Sequence, residues 1–544
     1  SDTDLSEFLA GPPYLPFGWM GCLDGWGGPL PKSWVERHAA LQKRILARER
    51  ALGMTPVLQG FTGHVPPATG KRFPKARLHR VRWAEWETLM LDPLDPLFPQ
   101  FAATFLEEQQ RLFGTDHLYA ADTFIEMTPP SGETSFLAAT GRAIYQGMAR
   151  VDPQAVWVLQ GWTFFNQAQF WTQPRIEAFL NAVPDAQMLV LDLFCDVTPV
   201  WNRTRAFCGK PWAWCALQNF GDCVYLGGAL SRIHEDLPAA RRAPLAARLS
   251  GIGFVNEGLD YNPIIFDFLF EQSWRSGPVN LEDWVRDYAR RVDGRAEADS
   301  EAAWTILKDS AFSGQHEVAP AFTRAPSLAS AVDPPYSNER LMQAWKHLLG
   351  AAQPSPPSDA FLFNLVAVTR QVLANYSAEL HRQAIEAWRA RDSARFQTAA
   401  GRMLELIRDL DELLATRPEY LLGRWLRDAR RWGKNRQEQD RLEWNARRVI
   451  TMWGEQPLIR DYSRREWSGM LNGFYLKRWE KFYAALAAAL AAGGAFDQPA
   501  FDRELQQWEL QWADGHESYS ARPRGDSLAL SRRLWAKYEP QLLK

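Results

Sequence analysis

Apolar and polar residues follow two different periods along this chain, and the change falls near Pro278. Before it, short apolar runs at Thr55–Phe61, His117–Phe124, Val156–Trp162, Met188–Phe194, Trp212–Phe220 and Gly251–Asn256 alternate with stretches whose apolar residues lie three and four apart. That is the pattern of strands and helices around a parallel sheet. The stretch Ser33 to Leu52 carries Trp34, Ala39, Leu41, Ile45 and Leu52 at helical spacing, with Ser33 as predicted cap and Gly53 as predicted stop. After Pro278 the helical period is nearly unbroken, predicting helices over Leu281–Val292, Leu341–Leu349, Phe361–Ala390, Ser393–Leu414, Leu421–Trp453 and Tyr462–Ala492. The proline- and serine-rich stretch Ala351 to Ser358 reads as a loop among them. An α/β domain over 1–277 followed by an all-α domain over 278–544 is the expected organisation.

Six strands do not close an eight-stranded barrel, and Leu5 to Pro31, dominated by Gly and Pro, supplies no more. Either the sheet is open, or the front of a barrel lies on sequence outside this chain.

Two of the strand-like runs end on glutamate. Glu126 closes the run from His117, and Glu257 closes the run from Gly251. The C-terminal ends of barrel strands are where such folds keep their chemistry, and a pair of facing carboxylates is the minimal equipment for cutting a glycosidic bond. The alternative for each is a solvated loop glutamate.

Composition narrows the field. The 64 acidic residues nearly balance 62 basic ones, giving a net charge of −2 and no footprint for nucleic acid or an anionic membrane. Cys22, Cys195, Cys208, Cys215 and Cys223 show no CxxC pair and no metal-ligand spacing, so no metal site is expected. No apolar run approaches the roughly 18 residues of a membrane span, and Ser1 opens without the features of a signal peptide. Serine-elbow, phosphate-loop, dinucleotide-fold and zinc-protease motifs are all lacking, and no cofactor is expected.

The 25 tryptophans are many for this length, and Trp19, Trp26, Trp162, Trp201 and Trp214 lie at strand ends or in Gly-rich loops. Aromatic faces there can pack on sugar rings, whereas Trp388, Trp425 and Trp479 at helical spacing read as core. Asp122, Asp192 and Asp222 also sit near strand ends, as partners of a glutamate or a sugar hydroxyl, or as helix caps. His64 follows the first strand and reads as a hydroxyl ligand or a satisfied structural residue.

The segments Gly18-Trp-Met-Gly-Cys-Leu-Asp-Gly-Trp-Gly-Gly-Pro-Leu30, Gly63-His-Val-Pro66, Phe113-Gly-Thr-Asp-His117, Ala121-Asp-Thr-Phe-Ile-Glu-Met-Thr-Pro-Pro130, Leu159-Gln-Gly-Trp162, Asn219-Phe-Gly221, Glu257-Gly258 and Arg522-Pro-Arg-Gly-Asp526 occur in order along the chain. Together they resemble glycoside hydrolase family 89, the α-N-acetylglucosaminidases. The resemblance implies an (α/β)₈ TIM-type barrel, its N-terminal strands ahead of Ser1, and a C-terminal all-helical domain. It implies a retaining exo-acting hydrolase with Glu126 as general acid/base and Glu257 as nucleophile. Trp26, His64, Trp162 and Trp214 fall on positions that line the family's sugar pocket. Two substrate-binding positions depart from the family: Ile125 and Cys22 each stand where it has asparagine, exchanging an amide for a group that cannot bond a substrate in the same way.

The expected partner is a glycan with a terminal α-linked N-acetylglucosamine, with a second copy of the chain or a complementing N-terminal polypeptide besides. Neither nucleic acid nor a membrane is expected. The expected location is secreted or periplasmic, or lysosomal in a eukaryote. A catalytically silent sugar-binding or scaffold homologue, and a retaining hydrolase for another α-linked sugar, are the alternatives.

Overall fold

The computed structural model describes residues 5–20 (for 18–20, the backbone), 23–314, 317–352, 357–454 and 459–543. Its strands through the first half of the chain are β1 (Val57–Gln59), β2 (His64–Val65), β3 (Leu78–Trp83), β4 (Trp86–Leu91), β5 (Leu118–Ala120), β6 (Val156–Gln160), β7 (Met188–Asp192), β8 (Trp212–Gln218), β9 (Gly228–Ala229) and β10 (Leu249–Asn256). Contacts divide the chain into two compact units. The first comprises 1–217, 236–255 and 431–445, and the second 218–235, 256–430 and 446–544.

The first unit is built on a six-stranded sheet in the order β1-β5-β6-β7-β8-β10. All six strands were legible as apolar runs. Pairing is parallel from β1 through β8, with Val57 opposite Leu118, Tyr119 opposite Trp157 and Asp192 opposite Trp214. Strand β8 is buried at every position, as a strand covered on both faces must be, whereas β10 at the sheet's outer edge is half-buried to exposed throughout. The strands are shorter than the apolar runs. Ala121 to Ile125, for example, are buried by the packing of a loop and not by a ladder.

Between β1 and β5 the chain inserts a three-stranded antiparallel sheet, order β2-β4-β3, which the sequence reading missed. Its β3–β4 hairpin pairs Trp83 with Trp86 across the turn, and the two indoles stack at 5.5 Å. The first long helix spans Lys32–Ala51, one residue earlier than expected at each end, and Gly53 after it has φ +76°. Ser33 is not its cap; Pro31 stands there without a side-chain bond, and the Ser33 hydroxyl meets Glu438 instead.

The second unit is helical. Helices Leu281–Asp293, Asn338–Ala351, Asp359–Arg389 and Ser393–Leu414 begin on Asn280, Ser337, Ser358 and Asp392, whose side chains accept from the first-turn N–H groups that the helix itself leaves unsatisfied. The 31-residue helix Asp359–Arg389 is the core element, packed against Asn338–Ala351, Ser393–Leu414 and Ser527–Leu542. Its Leu365, Val368 and Val372 are fully buried, each contributing about 1.5–3 kcal/mol by removal from water.

Two helix expectations are corrected. Leu421–Trp453 is two helices, Leu422–Arg430 and Arg436–Val449, interrupted at Gly433 where a Cβ would stand 2.5 Å from the Gln439 nitrogen. Tyr462–Ala492 becomes helical only from Leu471; the residues before it form a buried loop. Helices Ala298–Lys308, Gln498–Asp514 and Ser527–Leu542 were not anticipated.

Candidate active site

In the first unit, the loop after β5 is stitched to β6 and to the turn that follows it. Trp157 Nε1 donates to the Ala121 carbonyl at 2.7 Å, and Thr163 Oγ1 to the Phe124 carbonyl at 2.6 Å. Asp122 accepts from the backbone and side-chain nitrogens of Gln160, at 2.8 and 2.9 Å. Burial pushes the Asp122 carboxyl up to about 7 against those two bonds. It is therefore an anchor for the loop and not the cap of a helix.

This anchoring fixes the half-buried Glu126. Trp162 Nε1, from the short helix after β6, donates to Glu126 Oε1 at 2.6 Å, and Trp83 Nε1, from the end of β3, donates to Oε2 at 2.8 Å. Trp162 is itself wedged against Phe165 and Phe194, with ring centroids 4.8 and 6.1 Å away. Two rigid indoles thus set the plane of one carboxyl. Trp83 was not anticipated.

In the second unit, Glu257 comes directly after β10 and is exposed. Its Oε2 accepts from Gly221 N at 2.5 Å and from the Tyr462 hydroxyl at 2.7 Å. The Gly258 carbonyl accepts from Asn219 Nδ2 at 3.0 Å and Asn256 Nδ2 at 2.7 Å, which holds the turn carrying the glutamate. Gly221 has φ +60°, and a Cβ there would stand 2.5 Å from the Tyr462 carbonyl oxygen. Only glycine brings this N–H to the carboxylate without displacing the loop that carries Tyr462.

The remaining predicted residues fall in varied surroundings. His64 is buried on β2, its Nδ1 2.8 Å from Thr62 Oγ1 and its Nε2 buried without a partner among the described residues; burial lowers the imidazole to about 4, so it is neutral. Trp26 packs edge-on to Tyr14 and tilted on Trp444, at 6.2 and 5.6 Å. Trp214 is 1% exposed on β8, opposite Asp192. Ile125, 2% exposed, lines a small internal cavity with Asp122, Leu159, Gln160, Thr163 and Trp171. Asp192 accepts from the backbone of Val200 and Trp201, at 3.0 and 2.8 Å, and closes the loop after β7. Cys22 and the side chain of Trp19 lie outside the described residues. The four described cysteines are free thiols, and no described helix is long and apolar enough to cross a membrane.

Two family models match the chain in succession. Residues 1–276 match the family model of the α-N-acetylglucosaminidase TIM-barrel domain, and residues 284–537 that of its C-terminal domain. Human α-N-acetylglucosaminidase is 38% identical over 555 residues, covering 99% of this chain and 74% of that protein. The chain belongs to the α-N-acetylglucosaminidase family.

As a member of glycoside hydrolase family 89 it also shares that family's known architecture. The family 89 enzyme from Clostridium perfringens in complex with 2-acetamido-1,2-dideoxynojirmycin superimposes with a TM-score of 0.90 at 28% identity, covering 99% of this chain. A double Glu-to-Gln variant of that enzyme, in complex with its substrate GlcNAc-alpha-1,4-galactose, matches at 27% identity over the whole of this chain. The chain spans about 62% of the length of the first of these structures. The resemblance and the barrel-plus-helical fold class expected from the motifs are both met, and the chain is a glycoside hydrolase.

Proposed function

We propose that this chain removes terminal α-linked N-acetylglucosamine from glycans by double displacement, with Glu126 as acid/base and Glu257 as nucleophile. The observation that carries the reading is that each carboxylate follows a strand of the family's barrel sheet and is held by two donors, the indoles of Trp83 and Trp162 for one, Gly221 N–H and Tyr462 O–H for the other. Protonated Glu126 gives its proton to the glycosidic oxygen while Glu257 attacks the anomeric carbon, so that the aglycone leaves as an alcohol and a glycosyl ester forms on Glu257. Glu126, now ionised, takes a proton from water as that water attacks the same carbon. The ester bond breaks, the sugar leaves with its α configuration retained, and both carboxyl groups return to their starting states.

Donors fixed before the reaction lose nothing in reorganisation when charge on the nucleophile changes. Trp26, His64, Trp162, Trp214, Cys22 and Ile125 would line the sugar pocket. The substrate printed for the Clostridium relative, an N-acetylglucosamine α-linked to galactose, supports the substrate class. A chain acting on such glycans would work in a secreted, periplasmic or lysosomal compartment, and the outer strands β1 and β10 are where a complementing polypeptide or a second copy would pair.

Chromogenic α- and β-glycosides of N-acetylglucosamine, glucose and galactose test the reading. Release from the α-N-acetylglucosaminide alone is expected; preference for another α-sugar would reassign the substrate, and binding without turnover would make the chain a sugar-binding homologue.

A further inference from the structure

Gly221 and Tyr462, the described donors to Glu257, are joined to each other through an ion pair. Gly221 precedes Asp222, and Tyr462 lies three residues before Arg465; Arg465 Nη2 meets Asp222 Oδ2 at 3.1 Å. The same guanidinium donates through Nη1 to the carbonyls of Gly221 and of Ser463, the latter at 2.9 Å, and lies over the Trp467 ring at 5.2 Å. Cys223 Sγ adds a contact to the Tyr462 carbonyl at 3.0 Å. A closed circuit results, running from Glu257 to Gly221, Asp222, Arg465, Tyr462 and back to Glu257.

Asp222 is an unusual occupant of this position. Its φ of +55° is a left-handed conformation that costs a non-glycine residue free energy. Its Oδ1 is buried without a hydrogen-bond partner among the described residues and packs so closely on the turn after Glu257 that a Cβ at Gly258 would stand 1.7 Å from it. A strained backbone and an underused carboxylate oxygen beside a reacting carboxylate are features that fold stability alone would select against.

We propose that Asp222 and Arg465 are positioning residues for the reaction: together they hold Gly221 N–H and Tyr462 O–H on Glu257, and their opposite charges set its charge balance. The proposal rests on Glu257 being the nucleophile. The charged and titratable groups around Asp222 are Arg465, Asp260, Glu257 and the buried phenol of Tyr261. Burial, with Asp260 and Glu257 adding to it and Arg465 opposing, pushes the Asp222 carboxyl up to about 6.

The two members of the pair act on Glu257 with opposite sign, which separates an electrostatic role from a merely structural one. Asp222→Asn keeps the shape and an acceptor for Arg465 while removing a carboxyl that gives up its proton only as pH rises through about 6, so the acid limb of kcat/KM loses that step and should move down by about 0.5–1 pH unit. Arg465→Met removes the compensating positive charge, so the same limb should move up by a comparable amount, with kcat falling about 10- to 100-fold as the donors loosen. Glu257→Gln is the control. If it abolishes turnover while the limb stays in place in both variants, or moves the same way in both, the pair has no such role although the nucleophile stands. If Glu257→Gln keeps wild-type turnover, the nucleophile assignment fails and this proposal with it. Should one variant not fold, the direction of the shift in the other decides.

Discussion

Trp83 Nε1 lies 2.8 Å from Glu126 Oε2, so a residue of the inserted antiparallel sheet orients the carboxyl assigned to proton transfer. Trp83→Phe keeps an aromatic ring against Trp86 and removes this donor. With a preorganised hydrogen bond lost, kcat/KM should fall about 10- to 100-fold. The loss should be larger for glycosides with poor leaving groups, which depend on protonation by Glu126. Equal losses across a leaving-group series would place Trp83 outside the proton-transfer step.

Tyr462→Phe deletes one donor on Glu257 Oε2 and leaves Gly221 N–H in place. A hydrogen bond to a charged group is worth about 1.5–3 kcal/mol and less where solvent reaches it, as it does here, so kcat should fall by about 10-fold with a smaller change in KM. Steady-state kinetics on a chromogenic glycoside checks this, and an unchanged kcat would remove the hydroxyl from the account.

Asp122 carries a pH signature in stability. Its folded-state value of about 7 lies above the ordinary carboxylate value, so the folded protein holds a proton there that the unfolded chain has released. That contribution is fully present below about pH 4 and is lost as pH rises through about 7. Asp122→Asn stays neutral throughout, so its melting temperature relative to wild type should climb as pH is raised from about 5 to 8. A difference that stays flat over this range would contradict the assignment.

The sheet should also open unevenly. Strand β8 is buried at every residue, whereas β10 at one edge is half-buried to exposed and Val57 on β1 at the other is 47% exposed. Amide exchange should therefore be slowest in β8 and faster by orders of magnitude in β1 and β10. Uniform protection across the six strands would show both edges to be covered.

Glu126, Glu257 and Trp162 were legible because each directly follows an apolar run bounded by turn residues, a local signal. Trp83 was not. Its strand alternates weakly, with Arg80 and Arg82 exposed, and it pairs in a small sheet outside the main strand rhythm. Tyr462 was hidden for a different reason. The segment Arg460 to Glu466 is highly charged and continues into a helical pattern, and from Tyr462 on it read as helix. It is half-buried to buried because each charge finds a partner far away in sequence: Arg460 with Glu509, Asp461 with Arg478, Arg464 with Glu317, Arg465 with Asp222 and Glu466 with Arg370. Buried ion pairs of this kind leave no periodicity, and removing one partner strands the other charge at a cost of about 3–5 kcal/mol.

The central claim is a covalent glycosyl ester on Glu257, and trapping it is the most direct measurement. A 5-fluoro α-glycosyl fluoride of N-acetylglucosamine has an activated leaving group, so the ester forms faster than water removes it. Proteolysis and mass spectrometry of the inactivated protein should then find one added sugar on the peptide containing Glu257, and none in Glu257→Gln. A label on another carboxylate, or release of β-configured sugar without any label, would contradict the account.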